Sequence, residues 1–172
     1  MAILAKIKKA TIGELFKFKK KNISRISDLL DETSICFLKS KNRNEAISEM
    51  IDALDKKNVF KDKNKFYQAI IEREKIISTG IGMGVAIPHA KLDDLDDFFI
   101  AIGILKQTGI DWKSIDKNPV RIIFMIGGPE SKQNEYLQLL SKLTIAIREV
   151  DLRKNILRLK AKEDILKLFS QF

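Results

Sequence analysis

Several residue types are scarce in this 172-residue chain, and each scarcity excludes a class of protein. A single cysteine, Cys36, forms no intramolecular disulfide, which favours a reducing compartment. The longest apolar run, Phe98 to Leu105, has eight residues. A membrane-spanning helix needs roughly 20. Since no N-terminal stretch has the pattern of a cleaved secretion signal, we expect a cytoplasmic protein without a transmembrane segment.

Histidine is equally scarce, because His89 is the only one in the chain. A zinc site requires several nitrogen, sulfur or oxygen ligands at suitable spacing, and the sequence shows no such spacing of histidines or cysteines. A serine hydrolase is disfavoured because the Gly-x-Ser-x-Gly motif is missing. Gly80, Gly82 and Gly84 match neither the dinucleotide-binding fingerprint nor the nucleotide P-loop. We therefore predict no metal and no organic cofactor.

Positive charge is concentrated at the N-terminus. Residues 1–22 contain seven lysines and one glutamate, whereas the other 150 residues contain 25 basic and 22 acidic side chains. The globular part is therefore not a basic nucleic-acid-binding domain, and any weak contact with anionic lipid or nucleic acid is confined to residues 1–22. These residues could form a basic amphipathic helix, but a solvated extension is the favoured interpretation. We predict a basic N-terminal extension over residues 1–23 and one domain over residues 24–172.

Within the predicted domain, helical and strand patterns alternate. Asn42 and Glu45 resemble a capping box before a helix, and a second helix is predicted after Asp62. Buried strands are predicted at residues 98–105 and 120–126, the second ended by Gly127-Gly128-Pro129. A long amphipathic helix containing Leu137, Leu140, Leu143 and Ile147 follows, and a short helix near residues 165–169 closes the chain. This alternation predicts an α/β layer architecture.

The chemistry that best suits one histidine is nucleophilic catalysis by the imidazole itself. Pro88 restricts the backbone beside His89, and the glycines upstream allow a sharp turn, so we predict a loop that holds the imidazole in a defined place. Neutral imidazole is a competent nucleophile near neutral pH, and its attack on a phosphoryl donor gives a phosphohistidine. Arg73 and Thr79, just upstream, could supply donors for the phosphoryl oxygens. A hydrogen-bonded structural histidine is the alternative.

A series of motifs around His89 closely resembles the fructose/mannitol-type IIA domain of the bacterial phosphoenolpyruvate-dependent sugar phosphotransferase system. The resemblance covers about residues 24–171 and extends through Gly109-Ile110-Asp111-Trp112 to the closing segment. It implies a single α/β domain with a mixed β-sheet flanked by helices on both faces. The motifs that carry it are Arg73-Glu74, Ser78-Thr79-Gly80-Ile81-Gly82 and Gly84-Val85-Ala86-Ile87-Pro88-His89.

The resemblance also implies roles for individual residues. The histidine matching His89 accepts a phosphoryl group from the phosphocarrier protein HPr, forming tele-phosphohistidine, and passes it to a cysteine of a IIB domain or serves as a regulatory signal. The arginine matching Arg73 stabilises the transferred group, and the threonine matching Thr79 lies beside the site. Many members carry a second histidine before the leucine that opens the long helix, and here Tyr136 stands in that place. Its hydroxyl can donate a hydrogen bond to a phosphoryl oxygen or can serve packing alone.

Three functional interpretations follow. We expect a IIA relay component in a regulatory role, of the nitrogen-related kind. The second interpretation is a sugar-transport IIA component, of the fructose or mannitol kind, that serves a separate permease. The third is a non-catalytic binding module that keeps the fold and acts through its basic N-terminal residues.

Overall fold

The computed structural model describes residues 25–172, so the predicted N-terminal extension lies outside the described part of the chain. Over this range the chain forms six strands and five α-helices, preceded by two short 3₁₀ helices, Ile26–Leu29 and Glu32–Ser34. The strands are β1 (Ile35–Phe37), β2 (Gly80–Gly82), β3 (Val85–Ala86), β4 (His89–Leu92), β5 (Phe99–Ile104) and β6 (Ile122–Pro129). The helices are α1 (Arg43–Asp55), α2 (Lys63–Ile76), α3 (Gln133–Arg148), α4 (Val150–Arg158) and α5 (Lys162–Leu168).

The six strands make one mixed sheet in which β6 is central. The sheet order is β1-β5-β6-β3-β2, with β4 also paired to β6. The β5 and β6 strands are antiparallel, whereas β1 is parallel to β5 and both β3 and β4 are parallel to β6. Two short strands therefore share one edge of β6, which places the residues between them, Ile87 and Pro88, against the middle of the sheet.

Helices cover both faces of this sheet, which confirms the predicted fold class. Side chains of β6 alternate between the faces, as strand geometry requires. Ile122, Phe124 and Ile126 join the core formed with α3, α4 and α5. Ile123 and Met125 join the core formed with α1 and α2. None of the helices in residues 25–172 has both the length and the apolar composition needed to cross a membrane.

The helix starts predicted from capping residues are confirmed. The Asn42 side chain accepts a hydrogen bond from the Glu45 backbone nitrogen at 3.0 Å and α1 begins one residue later. Asp62 accepts from the backbone nitrogens of Asn64 and Lys65 at the start of α2. The Glu45 carboxylate binds the Lys41 nitrogen instead of completing the box at Asn42. A short polar side chain at the N-cap was thus sufficient to locate both helices.

Two predictions about the second half of the chain need correction. Strand β6 does not stop before Gly127 but continues through Gly127 and Gly128 to Pro129, and β4 pairs with all three of them. The glycines leave room for aromatic rings: a Cβ on Gly127 would lie 2.2 Å from the Phe99 ring, and one on Gly128 would lie 2.3 Å from the Phe98 ring. In α3 the buried stripe is also shifted from the predicted one, and consists of Tyr136, Leu139, Leu143, Ala146 and Ile147, with Leu137 exposed.

Candidate active site

His89 is the first residue of strand β4, and not part of a loop as expected from the sequence. It pairs with Ile126 in the centre of the sheet. Pro88 lacks a backbone N–H and separates β3 from β4, while its carbonyl accepts a hydrogen bond from Ile126 at 3.0 Å. The Ile87 nitrogen in turn donates to the Thr79 carbonyl at 3.0 Å. The backbone on both sides of the imidazole is therefore held by neighbouring strands.

The hydrogen bond made by the ring determines which nitrogen can react. His89 Nδ1 lies 2.6 Å from the Ile87 carbonyl oxygen. Because a carbonyl only accepts, Nδ1 must carry the proton, and in the neutral imidazole the lone pair then resides on Nε2. This hydrogen bond leaves Nε2 as the unprotonated nitrogen of the neutral ring.

The surroundings of His89 favour the neutral form. Burial lowers the pKa of His89 from its ordinary value of 6.5. The hydrogen bond to Ile87 and the negative charge of Glu74 oppose this effect, whereas the positive charge of Arg73 lowers the pKa further. A lowered pKa keeps the imidazole unprotonated, and therefore nucleophilic, at neutral pH.

Arg73 is held at the end of α2, close to the imidazole. Its Nη1 donates to the Ile77 carbonyl at 3.0 Å, which satisfies an acceptor just beyond the last turn of the helix. The guanidinium charge also acts on two neighbours, lowering the pKa of His89 and opposing the rise in the pKa of Tyr136. The structure thus brings Arg73, His89 and Tyr136 together, although 16 and 47 positions separate them along the chain.

Glu74 forms a buried hydrogen-bond network that the sequence analysis missed. Its carboxylate accepts from the Thr79 nitrogen at 3.2 Å and from the Thr79 hydroxyl, and lies 3.4 Å from Trp112 Nε1 and 3.6 Å from Arg43 Nη1. The hydroxyl oxygen of Thr79 also accepts a hydrogen bond from Trp112 Nε1 at 3.3 Å. The network ties α1, α2, the start of β2 and the Trp112 loop together. A signal existed in the sequence, since Glu74 continues the buried i, i+4 stripe of Phe66 and Ile70.

The Thr79 side chain is thereby directed into the buried network. The Thr79 hydroxyl donates its proton to the Glu74 carboxylate, and Thr79 is almost fully buried. The hydrogen bond from Thr79 to a phosphoryl group, expected from the resemblance, stays a prediction. What the structure adds is that Thr79 supports the site through its backbone, because its carbonyl accepts from Ile87 immediately before the Pro88-His89 segment.

Tyr136 lies at the start of α3, next to the imidazole. The centroids of its ring and of the His89 ring are 6.1 Å apart, and the Phe98 ring stacks beside it at 6.3 Å. The ammonium group of Lys91, two positions after His89 in β4, lies 5.5 Å from the Tyr136 ring centroid. These contacts hold the phenol ring beside the His89 imidazole.

Other residues considered from the sequence lie outside this site. Cys36 is buried in β1, where burial raises its thiol pKa, in agreement with the packing role expected of it. Asp93 and Asp94 both pair with Lys65. Within residues 25–172, no cluster of histidine, cysteine and acidic side chains is arranged to hold a metal ion.

Comparison with known proteins assigns the chain to a family. The family model described as "Phosphoenolpyruvate-dependent sugar phosphotransferase system, EIIA 2" matches residues 20–172. The chain belongs to this family. Members of the EIIA 2 family are phosphotransfer components.

Curated relatives of this EIIA 2 chain include transport and regulatory proteins. It is 35% identical over 148 residues to a fructose-specific EIIABC component of Bacillus subtilis, which covers 86% of this chain and 23% of that relative. The chain therefore spans about a quarter of the length of that multidomain protein. It is also 30% identical over 146 residues to a nitrogen regulatory protein of Bradyrhizobium diazoefficiens, covering 84% of this chain and 92% of the relative.

Solved structures share the EIIA fold. The nitrogen regulatory protein IIA-Ntr of Neisseria meningitidis superposes with a TM-score of 0.78 at 23% identity, over 84% of this chain and 99% of that chain. The IIA mannitol enzyme of Escherichia coli, in a structure of its complex with phosphorylated IIB, superposes with a TM-score of 0.71 at 20% identity, over 83% and 98% of the two chains. At this identity the likeness supports the fold described above.

Proposed function

We propose that this EIIA chain is a phosphohistidine relay in which Nε2 of His89 accepts and donates a phosphoryl group. The observation that carries this proposal is the fixed tautomer of His89: Nδ1 is committed to the Ile87 carbonyl, so Nε2 is free to attack. The lowered pKa of His89 and the adjacent charge of Arg73 support it.

The proposed step requires no cofactor. The Nε2 lone pair forms a bond to phosphorus, the bond between phosphorus and the donor breaks, and its electron pair remains on the donor. Arg73 contributes a permanent positive charge beside the group being transferred, where negative charge is spread over the phosphoryl oxygens. The network of Glu74 and Thr79 supports the transfer by holding the backbone that carries Arg73 and Pro88.

The proposed donor is the phosphocarrier HPr, and the proposed acceptor is a cysteine of a IIB domain or a regulated protein. Because HPr acts in the cytoplasm, the proposal places this chain there. The side chains of Ile76, Ile77 and Leu137 are exposed beside Arg73 and Tyr136, and we infer that they form part of the docking surface. Apolar side chains around a reactive group let a partner exclude water without blocking Nε2.

The relay is tested by following phosphoryl transfer from phosphoenolpyruvate through enzyme I and HPr. We expect an acid-labile, alkali-stable phosphoryl group on the wild-type chain and none on His89→Ala. Since the chain has one histidine, a phosphohistidine in it is assigned without mapping. Phosphorus–nitrogen couplings in NMR spectra should place the group on Nε2. Equal labelling of His89→Ala, or no labelling of folded wild-type chain by its cognate HPr, would overturn the proposal.

Of the two relay roles, we propose the regulatory one, supported by the similarity over 92% of a nitrogen regulatory protein. The phosphorylated chain is incubated with the IIB domain of the fructose permease from the same cell. Retention of the label, together with a partner captured by only one phosphorylation state, is the expected result. Rapid loss of the label to the IIB cysteine would identify a transport component. Deletion of residues 1–22 tests the third interpretation, since a relay retains its transfer rate without them.

A further inference from the structure

The hydroxyl group of Tyr136 is buried without a hydrogen-bond partner. Tyr136 is 4% exposed, and its hydroxyl forms no hydrogen bond with any group in residues 25–172. A buried polar group left unpaired is unfavourable, and in native proteins such a group requires an explanation. Packing needs alone would be met by phenylalanine, because the Tyr136 ring already stacks with Phe98.

The position of this hydroxyl indicates what it pairs with. Its ring lies 6.1 Å from the His89 ring, and the charge of Arg73 acts on both groups. The Lys91 ammonium lies against the same ring and is held there by a hydrogen bond to Gln133. The unpaired hydroxyl therefore belongs to a ring that neighbours the His89 imidazole, with the positive charges of Arg73 and Lys91 nearby.

We propose that the Tyr136 hydroxyl is a catalytic hydrogen-bond donor whose missing acceptor is a phosphoryl oxygen on His89. This inference rests on the proposed relay and adds a residue to it. An uncharged donor suits the place, because Arg73 already supplies the positive charge and a buried phenol does not need to change protonation state during transfer. Burial raises the pKa of Tyr136 above its usual range, so the donor proton is present throughout the physiological range.

This assignment separates the effect of Tyr136 on stability from its effect on transfer. In the unphosphorylated chain the hydroxyl makes no hydrogen bond, so its removal in Tyr136→Phe should leave the melting temperature unchanged or higher. In the phosphorylated chain the hydroxyl is paired, so the same variant should accept the phosphoryl group about 100-fold more slowly, the lower end of the effect seen for lost oxyanion donors. If Tyr136 only packed against its neighbours, Tyr136→Phe would not slow the transfer.

The experiment compares Tyr136→Phe with Tyr67→Phe, which removes the same atom from the only other tyrosine. Tyr67 packs against the core on the opposite face of the sheet. Transfer from phospho-HPr is timed by rapid quench, and the phosphorus NMR shift of the phosphorylated chain is recorded. We expect slow transfer and a changed shift for Tyr136→Phe only. Tyr136→His restores a donor, and its rate should vary with pH below neutrality as the new imidazole takes up a proton.

The outcomes distinguish this inference from the relay itself. If the wild-type chain is not labelled, the proposed function fails. If the wild-type chain is labelled and Tyr136→Phe matches it in rate and phosphorus shift, the relay stands and the role of Tyr136 is wrong. If Tyr136→Phe is slow but also melts at a clearly lower temperature than Tyr67→Phe, the hydroxyl has a structural partner and the inference is overturned.

Discussion

The Glu74 carboxylate accepts hydrogen bonds from both the backbone nitrogen and the hydroxyl of Thr79, five residues further along the chain. This pair spans the junction between α2, which carries Arg73, and β2, whose neighbour β3 leads to His89. A buried carboxylate thus connects the segment that carries Arg73 with the segment that leads to His89. Its neighbour Arg43 lies 3.6 Å away and is partly exposed.

Replacing Glu74 by glutamine should lower the free energy of unfolding by about 2–3 kcal/mol, because charge-assisted hydrogen bonds are lost and an amide N–H₂ then faces a donor. Urea unfolding followed by the fluorescence of Trp112, the single tryptophan, measures this change. The control is Glu72→Gln, where an exposed carboxylate pairs with Lys75 and the expected loss is below about 0.5 kcal/mol. Equal losses in the two variants would contradict the importance of the network.

Replacing Arg73 by glutamine should slow phosphoryl transfer about 10²- to 10³-fold, since a fixed positive donor beside the phosphoryl oxygens is removed. Arg73→Lys should be intermediate, because lysine keeps the charge but lacks the forked donor geometry. Rapid-quench assays of transfer from phospho-HPr give the rates. Arg153→Gln is a matched control, because Arg153 also donates to carbonyl oxygens at a helix end, those of Ile147 and Arg148. Slowing of the control to the same degree would attribute the effect to helix capping.

The rate of phosphorylation should fall to half its maximum at a pH below 6.5. The reason is that the pKa of His89 is lowered from 6.5, so the neutral nucleophile persists below that pH and is lost as the ring takes up a proton. Proton NMR titration of the single histidine checks this directly. A pKa above 6.5 in the wild-type chain would be inconsistent with the burial of the ring.

Charge variants near His89 should move this pKa in opposite directions. Arg73→Gln removes a positive charge and should raise the pKa of His89, whereas Glu74→Gln removes a negative charge and should lower it. The same NMR titration reports both shifts, provided that each variant retains the Trp112 emission of the folded chain. Shifts of the same sign in both variants would show that altered burial, and not charge, dominates.

An acidic residue in place of Leu137 should weaken docking of HPr, raising the KM for phospho-HPr about tenfold while the rate at saturation changes little. Leu137 is 53% exposed and follows Tyr136 directly. Ile145 is 61% exposed on the same helix, about 12 Å further along its axis, so Ile145→Asp is the matched control. An equal rise in KM for both variants would indicate a general charge effect in place of a docking surface at the site.

The helix starts and the central strands could be predicted from the sequence because their signals are local. Asn42 and Asp62 are N-cap residues whose side chains mark the starts of helices, and the strands β5 and β6 are continuous apolar segments. The short strand β1 and helix α4 were missed, and α4 has no side-chain hydrogen bond at its N-cap that could mark its start. Gly127 and Gly128 were interpreted as a strand end, although they stay in β6 because the rings of Phe98 and Phe99 fill the space above them.

The sequence by itself determined that any histidine chemistry in this chain falls to one imidazole, since the chain has a single histidine in a Pro-His segment preceded by glycines. It also identified Arg73, Thr79 and Tyr136 as candidates through family resemblance. Only the tertiary structure decided which nitrogen of the His89 ring is unprotonated, that the Thr79 hydroxyl donates to Glu74, and that the Tyr136 hydroxyl has no hydrogen bond. The physical reason is that composition and spacing are properties of the chain, whereas a tautomer, a buried carboxylate and an unpaired donor depend on contacts between distant segments.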